Sequence, residues 1–310
     1  MMIDHPQDFG RVAVVMGGDG SERSVSLDGG RQILAALADQ DVNVVAADGI
    51  AELLRMISEQ RVDRVFNLLH GRGGEDGALQ GALQCLGIPV TGSGVRGSAV
   101  SMDKSLSKAI WRQAGLNTPD WQEIRDPDAA EKAAARVGYP LVVKPVSEGS
   151  SVGISLVRQP GELAPAVQEA FGHERRVMLE ALVDGSELTV GILHGAALPA
   201  IRIVPARTFY DYEAKYVDDR TRYLCPCGLE QAEEAALARD ALNAFEMLGA
   251  SGWGRVDFLL DQSGKSFLLE TNTTPGMTSL SLVPKAAVAA GIEFDRLTWQ
   301  ILETSFQERN

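Results

Sequence analysis

The order of apolar and polar positions divides the chain into three stretches. Over the first hundred residues, apolar runs at 11–16 (RVAVVM), 42–46 and 62–69 (VDRVFNLL) alternate with helical spacing at 26–37, 51–59 and 76–86. A further short run lies at 88–91. Strands that alternate strictly with helices predict a parallel, doubly wound sheet. Ligands of such sheets gather beyond the carboxyl ends of the strands, where this chain carries Gly17-Gly18 and His70-Gly71.

Past the glycine-rich TGSG at 91–94 the pattern changes. A helix is predicted at 103–113, strands at 141–144 and 153–157, and after another helix a strand at 177–180, which together suit a small α+β lobe. The last stretch predicts a strand at 187–193, an aromatic and charged loop at 208–219, a long helix at 229–248, and strands at 253–260 and 266–270. The length suits two or three packed lobes, and the pattern favours three, at 1–103, 104–186 and 187–310.

Composition removes several classes of function. The 310 residues are 45% apolar and 23% charged, enough for sizeable cores. A net charge of −13 gives no basic face for nucleic acid. No run approaches the ~20 apolar residues that span a bilayer, and residues 1–10, with Asp4, Pro6 and Asp8, lack the apolar centre of a signal peptide. Three cysteines (Cys85, Cys225 and Cys227) make no even disulfide framework, and Cys225-Pro-Cys227 has no further thiol or imidazole partners for a metal. The expectation is a reduced, cytoplasmic, soluble protein.

Candidate chemistry begins near the end of the chain. Two apolar runs, GWGRVDFLLD (252–261) and SFLLETN (266–272), flank DQSGK, where Gly264 suits a hairpin turn. Arg255 and Asp257 are two apart and so share a strand face, as do Glu270 and Asn272. Paired, the strands bring together two carboxylates, an amide oxygen and a guanidinium. Such hard oxygens suit Mg²⁺, which takes one or two carboxylates with substrate phosphates. The plainer alternative, an edge hairpin with its polar face in water, leaves unexplained why four functional groups align on otherwise apolar strands.

Two earlier blocks add phosphate and base chemistry. In YPLVVKPVSEGSSVGISLV (139–157) a strand ends in Lys144-Pro145, and the Gly/Ser loop after it offers N–H groups and hydroxyls to phosphate oxygens or closes as a lid. Lys144 adds a compact charge, although a plain hairpin fits the loop alone equally well. In RVMLEALVDGSELTVGIL (176–193) a strand ends at Glu180 and passes through an apolar connection containing Leu182. Backbone groups there could read an adenine edge, with Glu180 and Glu187 accepting from adenine and ribose. Taken alone, the segment also reads as a lobe linker.

In this order the three blocks resemble the ATP-grasp superfamily of carboxylate–amine ligases, in which two α+β lobes clamp ATP. Lys104, in VSMDK, matches that superfamily's other phosphate-binding lysine. MGGDGSERSVSL (16–27), NLLHGRGGEDGALQG (67–81), TGSGVRGSAVSMDK (91–104), TFYDYEAKY (208–216) and ETNTTPGMTSLSLVP (270–284) further resemble the D-alanine–D-alanine ligase family, nearly end to end. The resemblance implies a doubly wound, pre-ATP-grasp, substrate-binding lobe (1–103), followed by a central ATP-grasp lobe (104–186) and a C-terminal catalytic lobe (187–310).

It also implies roles. The γ-phosphate of ATP would pass to one D-alanine carboxylate, and the amine of a second D-alanine would attack the acyl phosphate. Two Mg²⁺ ions, replaceable by Mn²⁺, would sit on Asp257, Glu270 and Asn272, with Lys104, Lys144 and Lys215 on the phosphates; the resemblance leaves room for K⁺. Arg255 and the Gly276 N–H would stabilise the oxyanion. Glu22 would bind the first ammonium and, with Ser150 and Tyr216, tie the lobes together. His70 would lie near the substrate carboxylates, and Ser281 with the Leu282 N–H would hold the second one. Tyr rather than Phe at 216 goes with dipeptide rather than depsipeptide formation, and a homodimer is implied. The competing readings are another ATP-grasp ligase with a different acid and amine, and a nucleotide sensor without turnover. A sensor has no need of an oxyanion donor such as Arg255.

Overall fold

The computed structural model describes residues 3–20, 22–149, 152–204 and 221–306. The first stretch folds as β1 (Val12–Met16), α1 (Arg23–Ala38), β2 (Val44–Asp48), α2 (Gly49–Ser58), β3 (Arg64–Asn67) and α3 (Ala78–Cys85), then α4 (Val95–Met102) and α5 (Lys104–Gln113). Its sheet is parallel in the order β2-β1-β3, as the alternation predicts. The two faces of β1 feed different cores. Val12 and Val14 pack with Ile33 and Leu37 of α1, while Ala13 and Val15 pack with Leu53 of α2 and Leu83 of α3. A strand buried on both faces has no polar alternation, which is why VAVVM reads as an unbroken apolar run.

Two expectations change here. The run at 88–91 forms only a bridge between Val65 and Val90. Pro89 has no N–H for a ladder, and the chain turns at once through Gly92 at φ +75°. The single helix expected at 103–113 is the second of two, because Gly- and Ser-rich 95–102 also coils. That composition reads as loop, yet α4 is held by tertiary contact: a Cβ on Gly97 would lie 2.4 Å from the Gly249 carbonyl oxygen. Asp103 separates the helices and accepts from the Leu106 N–H at 2.9 Å, capping α5.

Next come β4 (Trp121–Ile124), α6 (Ala130–Val137), β5 (Leu141–Pro145), β6 (Ser155–Val157), α7 (Leu163–His173) and β7 (Val177–Ala181). They form an antiparallel sheet, β4-β7-β5-β6, with its own core of Leu141, Val143, Val167 and Leu179. The short β4 carries no apolar run and was not expected.

The last stretch holds β8 (Gly185–Leu193), β9 (Ala196–Ala197), β10 (Ile201–Val204), β11 (Arg222–Leu224), α8 (Gln231–Met247), β12 (Trp253–Asp261), β13 (Ser266–Asn272), α9 (Leu282–Ala289) and α10 (Phe294–Glu303). The path β11-β10-β8-β12-β13 is antiparallel, with β9 paired to β8. Two cores draw on distant stretches of the chain. Trp111 of α5 lies among Val190, Phe245 and Val256, and the α1 side of the first sheet shares a core with Val283 of α9 and Ile301 of α10.

Candidate active site

The β12–β13 hairpin turns at Gly264, whose N–H donates to the Asp261 carbonyl at 3.0 Å. Its register sets Arg255 opposite Asn272 and Asp257 opposite Glu270, with a bulge after Asp257. β13 continues two residues beyond its expected end, and this brings Asn272 into the ladder. Asp257 is only 4% exposed, and each of its oxygens accepts two hydrogen bonds. Arg255 Nε and Thr189 Oγ1 donate to Oδ1 at 2.8 and 2.6 Å, and Arg255 Nη2 and Asn272 Nδ2 donate to Oδ2 at 2.7 and 3.0 Å. Thr189, on the neighbouring β8, was not foreseen; no sequence period links it to the hairpin.

A cleft opens over this face, lined among others by Gly71, Glu75, Lys104, Glu148, Gly149, Glu270 and Asn272. Lys104 comes from the first turn of α5. Its Nζ lies 3.5 Å from Glu270 Oε2 and donates to the Glu148 carbonyl at 2.7 Å. Arg72, from the first lobe, pairs with Glu148 at 3.4 Å. Glu22 approaches from the same side: a Cβ on Gly149 would stand 3.2 Å from its Oε2. The first loop, the Gly/Ser loop and the hairpin therefore meet, although they are far apart in sequence.

His70 and Glu75 sit at the floor of this junction. Burial pushes the His70 imidazole below its usual range, partly offset by Glu22. Glu75 is pushed up to about 8 by burial and then by the Glu22 charge. It accepts from the Gly71 N–H at 2.7 Å and the Thr274 N–H at 3.1 Å, joining the His70 loop to the segment after β13. Glu75 stands within the motif NLLHGRGGEDGALQG, and the family resemblance assigns it no role. The available signal was a carboxylate inside a glycine loop at a strand's carboxyl end.

Lys144, Glu180, Leu182 and Glu187 are not among the residues that line this cleft. The Glu180 carboxylate, expected to face a base, is clasped by lysines: Lys144 Nζ lies 2.6 Å from Oε2, and Lys108 Nζ contacts Oε1. The Leu182 N–H donates to the Pro140 carbonyl at 3.1 Å, so the fold uses the donor half of that peptide. Glu187 stands on β8 opposite Ile203 and Leu259.

Ser281 is the N-cap of α9, and its hydroxyl is not spent on the helix. Instead it accepts from the Thr278 N–H at 3.0 Å. Leu282 is the first helical residue, so its N–H is among those that an α-helix leaves without an internal partner. Gly276 lies against Ser281, since a Cβ there would be 2.9 Å from Oγ. Ser150, Lys215 and Tyr216 lie outside the described residues.

The donor set bears on a metal. Among the described residues no three His, Cys, Asp or Glu side chains cluster to hold an ion. Two carboxylates and an amide are present, and Asn272 anchors its nitrogen on Asp257, so its oxygen is the atom that an ion would meet. This incomplete, all-oxygen set fits Mg²⁺, whose shell is completed by water and substrate phosphates.

Comparisons with known proteins extend over nearly the whole chain. Residues 51–93 match the family model described as D-ala D-ala ligase N-terminus, and 110–303 match D-ala D-ala ligase C-terminus. The D-alanine–D-alanine ligase of Methylococcus capsulatus is 50% identical over 304 residues, which is 98% of each chain. Among solved structures, the Bacillus anthracis D-alanine–D-alanine ligase complexed with ATP superposes with a TM-score of 0.84 at 35% identity, covering 95% of this chain and 97% of that one. The VanG D-Ala:D-Ser ligase of Enterococcus faecalis gives 0.83 at 27% identity, covering 95% and 99%. The backbone is thus common to enzymes whose names carry different acceptors.

Proposed function

The chain belongs to the D-alanine–D-alanine ligase family, and we propose that it joins two D-alanines, driven by conversion of ATP to ADP and phosphate, through a D-alanyl phosphate. The product is a building block of peptidoglycan precursors. The observation that carries this reading is the β12–β13 register, which lines up Arg255, Asp257, Glu270 and Asn272 beneath a cleft that also receives Lys104.

A carboxylate attacking a triphosphate meets strong like-charge repulsion. Lys104 and Lys144 relieve it as positive charges brought to the phosphates, with Lys215 assigned the same task. Asp257, Glu270 and Asn272 would hold Mg²⁺, which when bound supplies charge neutralisation at the transferring phosphoryl group. Arg255, oriented by its two bonds to Asp257, meets the charge that develops on the oxyanion together with the Gly276 N–H. Glu22 takes the first ammonium, and His70 stands by the carboxylates. Ser281 and the N–H of Leu282 take the second carboxylate at a helix start, where the dipole favours an anion. Ser150 and Tyr216 complete the link from Glu22 across the lobes, and Tyr216 supports an amine over a hydroxyl acceptor. For adenine, Glu180 and the Leu182 peptide are proposed with Glu187 on the ribose.

Three lobes at 1–103, 104–186 and 187–310 fit this division of labour. The free thiols Cys85, Cys225 and Cys227 support a cytoplasmic setting. No helix among the described residues is long and apolar enough to cross a membrane. The net charge of −13 supports a protein without nucleic-acid partners, and the family resemblance supports a homodimer, Mn²⁺ as a substitute for Mg²⁺, and room for K⁺.

Phosphate release from ATP and Mg²⁺ tests the reading, with D-alanine, L-alanine or no amino acid added. Release dependent on D-alanine, with D-alanyl-D-alanine as product, is expected. Release indifferent to D-alanine sinks it.

A further inference from the structure

Lys104 and Lys108 are four residues apart on α5 and so share a helix face. Lys104 reaches the cleft, but Lys108 is wholly buried. Its Nζ contacts Glu180 Oε1 and donates to Thr118 Oγ1 at 2.6 Å, and Thr118 in turn donates to the Leu268 carbonyl of β13 at 2.8 Å. The other oxygen of Glu180 faces Lys144 Nζ at 2.6 Å. Two lysines thus share one carboxylate, and all three side chains are at least nine-tenths removed from solvent.

Lysines are almost never fully buried without a partner, and a buried pair needs one lysine for one carboxylate. The second leaves an excess positive charge in a low-dielectric place. That excess is felt: burial, and then the Lys144 charge working against Glu180, bring Lys108 down to about 8. Glu180 is nonetheless held ionised by the two ammonium groups against its own burial. An excess cation has a use if one of the lysines is needed elsewhere during the reaction.

We propose that Lys108 is a positioning residue for nucleotide binding: it is the standing counter-ion of Glu180, and it frees Lys144 to leave that carboxylate for the phosphates of ATP. This rests on the ATP-dependent reading above. Removing one partner of a buried ion pair leaves an uncompensated charge and is strongly unfavourable. Without Lys108, moving Lys144 to a phosphate would strand Glu180 in that state, and the lysine would stay where it is. With Lys108 in place Glu180 keeps a partner throughout and remains a carboxylate able to accept from a bound base. Lys108 cannot follow Lys144, because Thr118 ties it to the strand that carries Glu270.

The test measures ATP affinity of the full chain by calorimetry, with KM and kcat from phosphate release. It uses the wild type, Lys108→Met, Glu180→Gln and the double variant. Lys108→Met is expected to weaken ATP binding on the order of tenfold to a hundredfold, raising KM for ATP far more than it lowers kcat. In the Glu180→Gln background the same substitution should change ATP affinity by less than about threefold, since no carboxylate remains to be served. A purely structural lysine would cost the same in both backgrounds, and that result overturns the proposal, as does unaltered ATP binding in Lys108→Met. Should Lys108→Met not fold, Lys108→Gln, which keeps a donor to Thr118, is read by the same criteria. A wild-type chain that binds no ATP instead removes the ligase reading, and this proposal with it.

Discussion

At the scale of single residues, the cleft is built from groups whose ionisation is shaped by burial. Glu75 is the clearest case, with its carboxyl raised to about 8 by burial and by Glu22. For an acid raised in the folded state the sign follows directly. Below the ordinary Glu value of 4.5 it is protonated in both folded and unfolded chains and has no effect on stability. As pH rises from there towards 8, the unfolded chain ionises first and stability falls; above 8 the loss levels off. Because the group borders an open cleft, the effect is expected to be about 1–2 kcal/mol rather than the full linkage value. Urea midpoints across this range should fall with pH more steeply for the wild type than for Glu75→Gln. Parallel slopes would show that Glu75 is not the group responsible.

At the scale of elements, α5 concentrates several tasks on ten residues. It carries Lys104 to the cleft, Lys108 to Glu180 and Trp111 into the core under β8 and β12. Its N-cap, Asp103, is also bound by Arg176 Nη1 at 2.6 Å, while Arg176 Nη2 reaches Glu123 on β4 at 2.7 Å. One carboxylate therefore caps the helix and fixes it to the central sheet. Asp103→Ala should cost about 1–2 kcal/mol from the lost cap and ion pair together, and should weaken ATP binding by loosening Lys104. Asp103→Asn, which keeps a capping oxygen, should cost less. Chemical denaturation of both variants checks the order, and equal losses would assign the whole effect to the ion pair.

At the scale of the molecule, the first, central and last stretches of the chain are unequally joined. The first and last share a hydrophobic core through α1, α9 and α10. The sheet β4-β7-β5-β6 has a core of its own, and it meets α5 and the first stretch through polar contacts such as the Lys104 ammonium with the Glu148 carbonyl and Arg72 with Glu148. A ligand that touches both sides of the cleft adds contacts where the fold has few. ATP with Mg²⁺, at about a hundred times its dissociation constant, should stabilise the folded chain by about 2.7 kcal/mol. Thermal unfolding should show this as a rise of a few degrees, concentrated in the transition of the central lobe. A uniform rise across all transitions, or none, would contradict this division.

Much of this was already written in the order of residues. The unbroken apolar run VAVVM determined a strand buried on both faces, because a strand in a doubly wound sheet meets helices above and below. The two-residue spacings of Arg255 with Asp257 and Glu270 with Asn272 determined shared faces, since side chains alternate along a strand. Local pattern could not reveal α4, whose Gly97 packs against Gly249, or β4, which is too short to show a period. Nor could it reveal that Thr189 holds Asp257, that Glu75 joins two loops, or that Lys108 lies against Glu180, 72 residues away in the sequence. Those pairings depend on register between strands and on the burial of charge, and both exist only once distant segments are packed together.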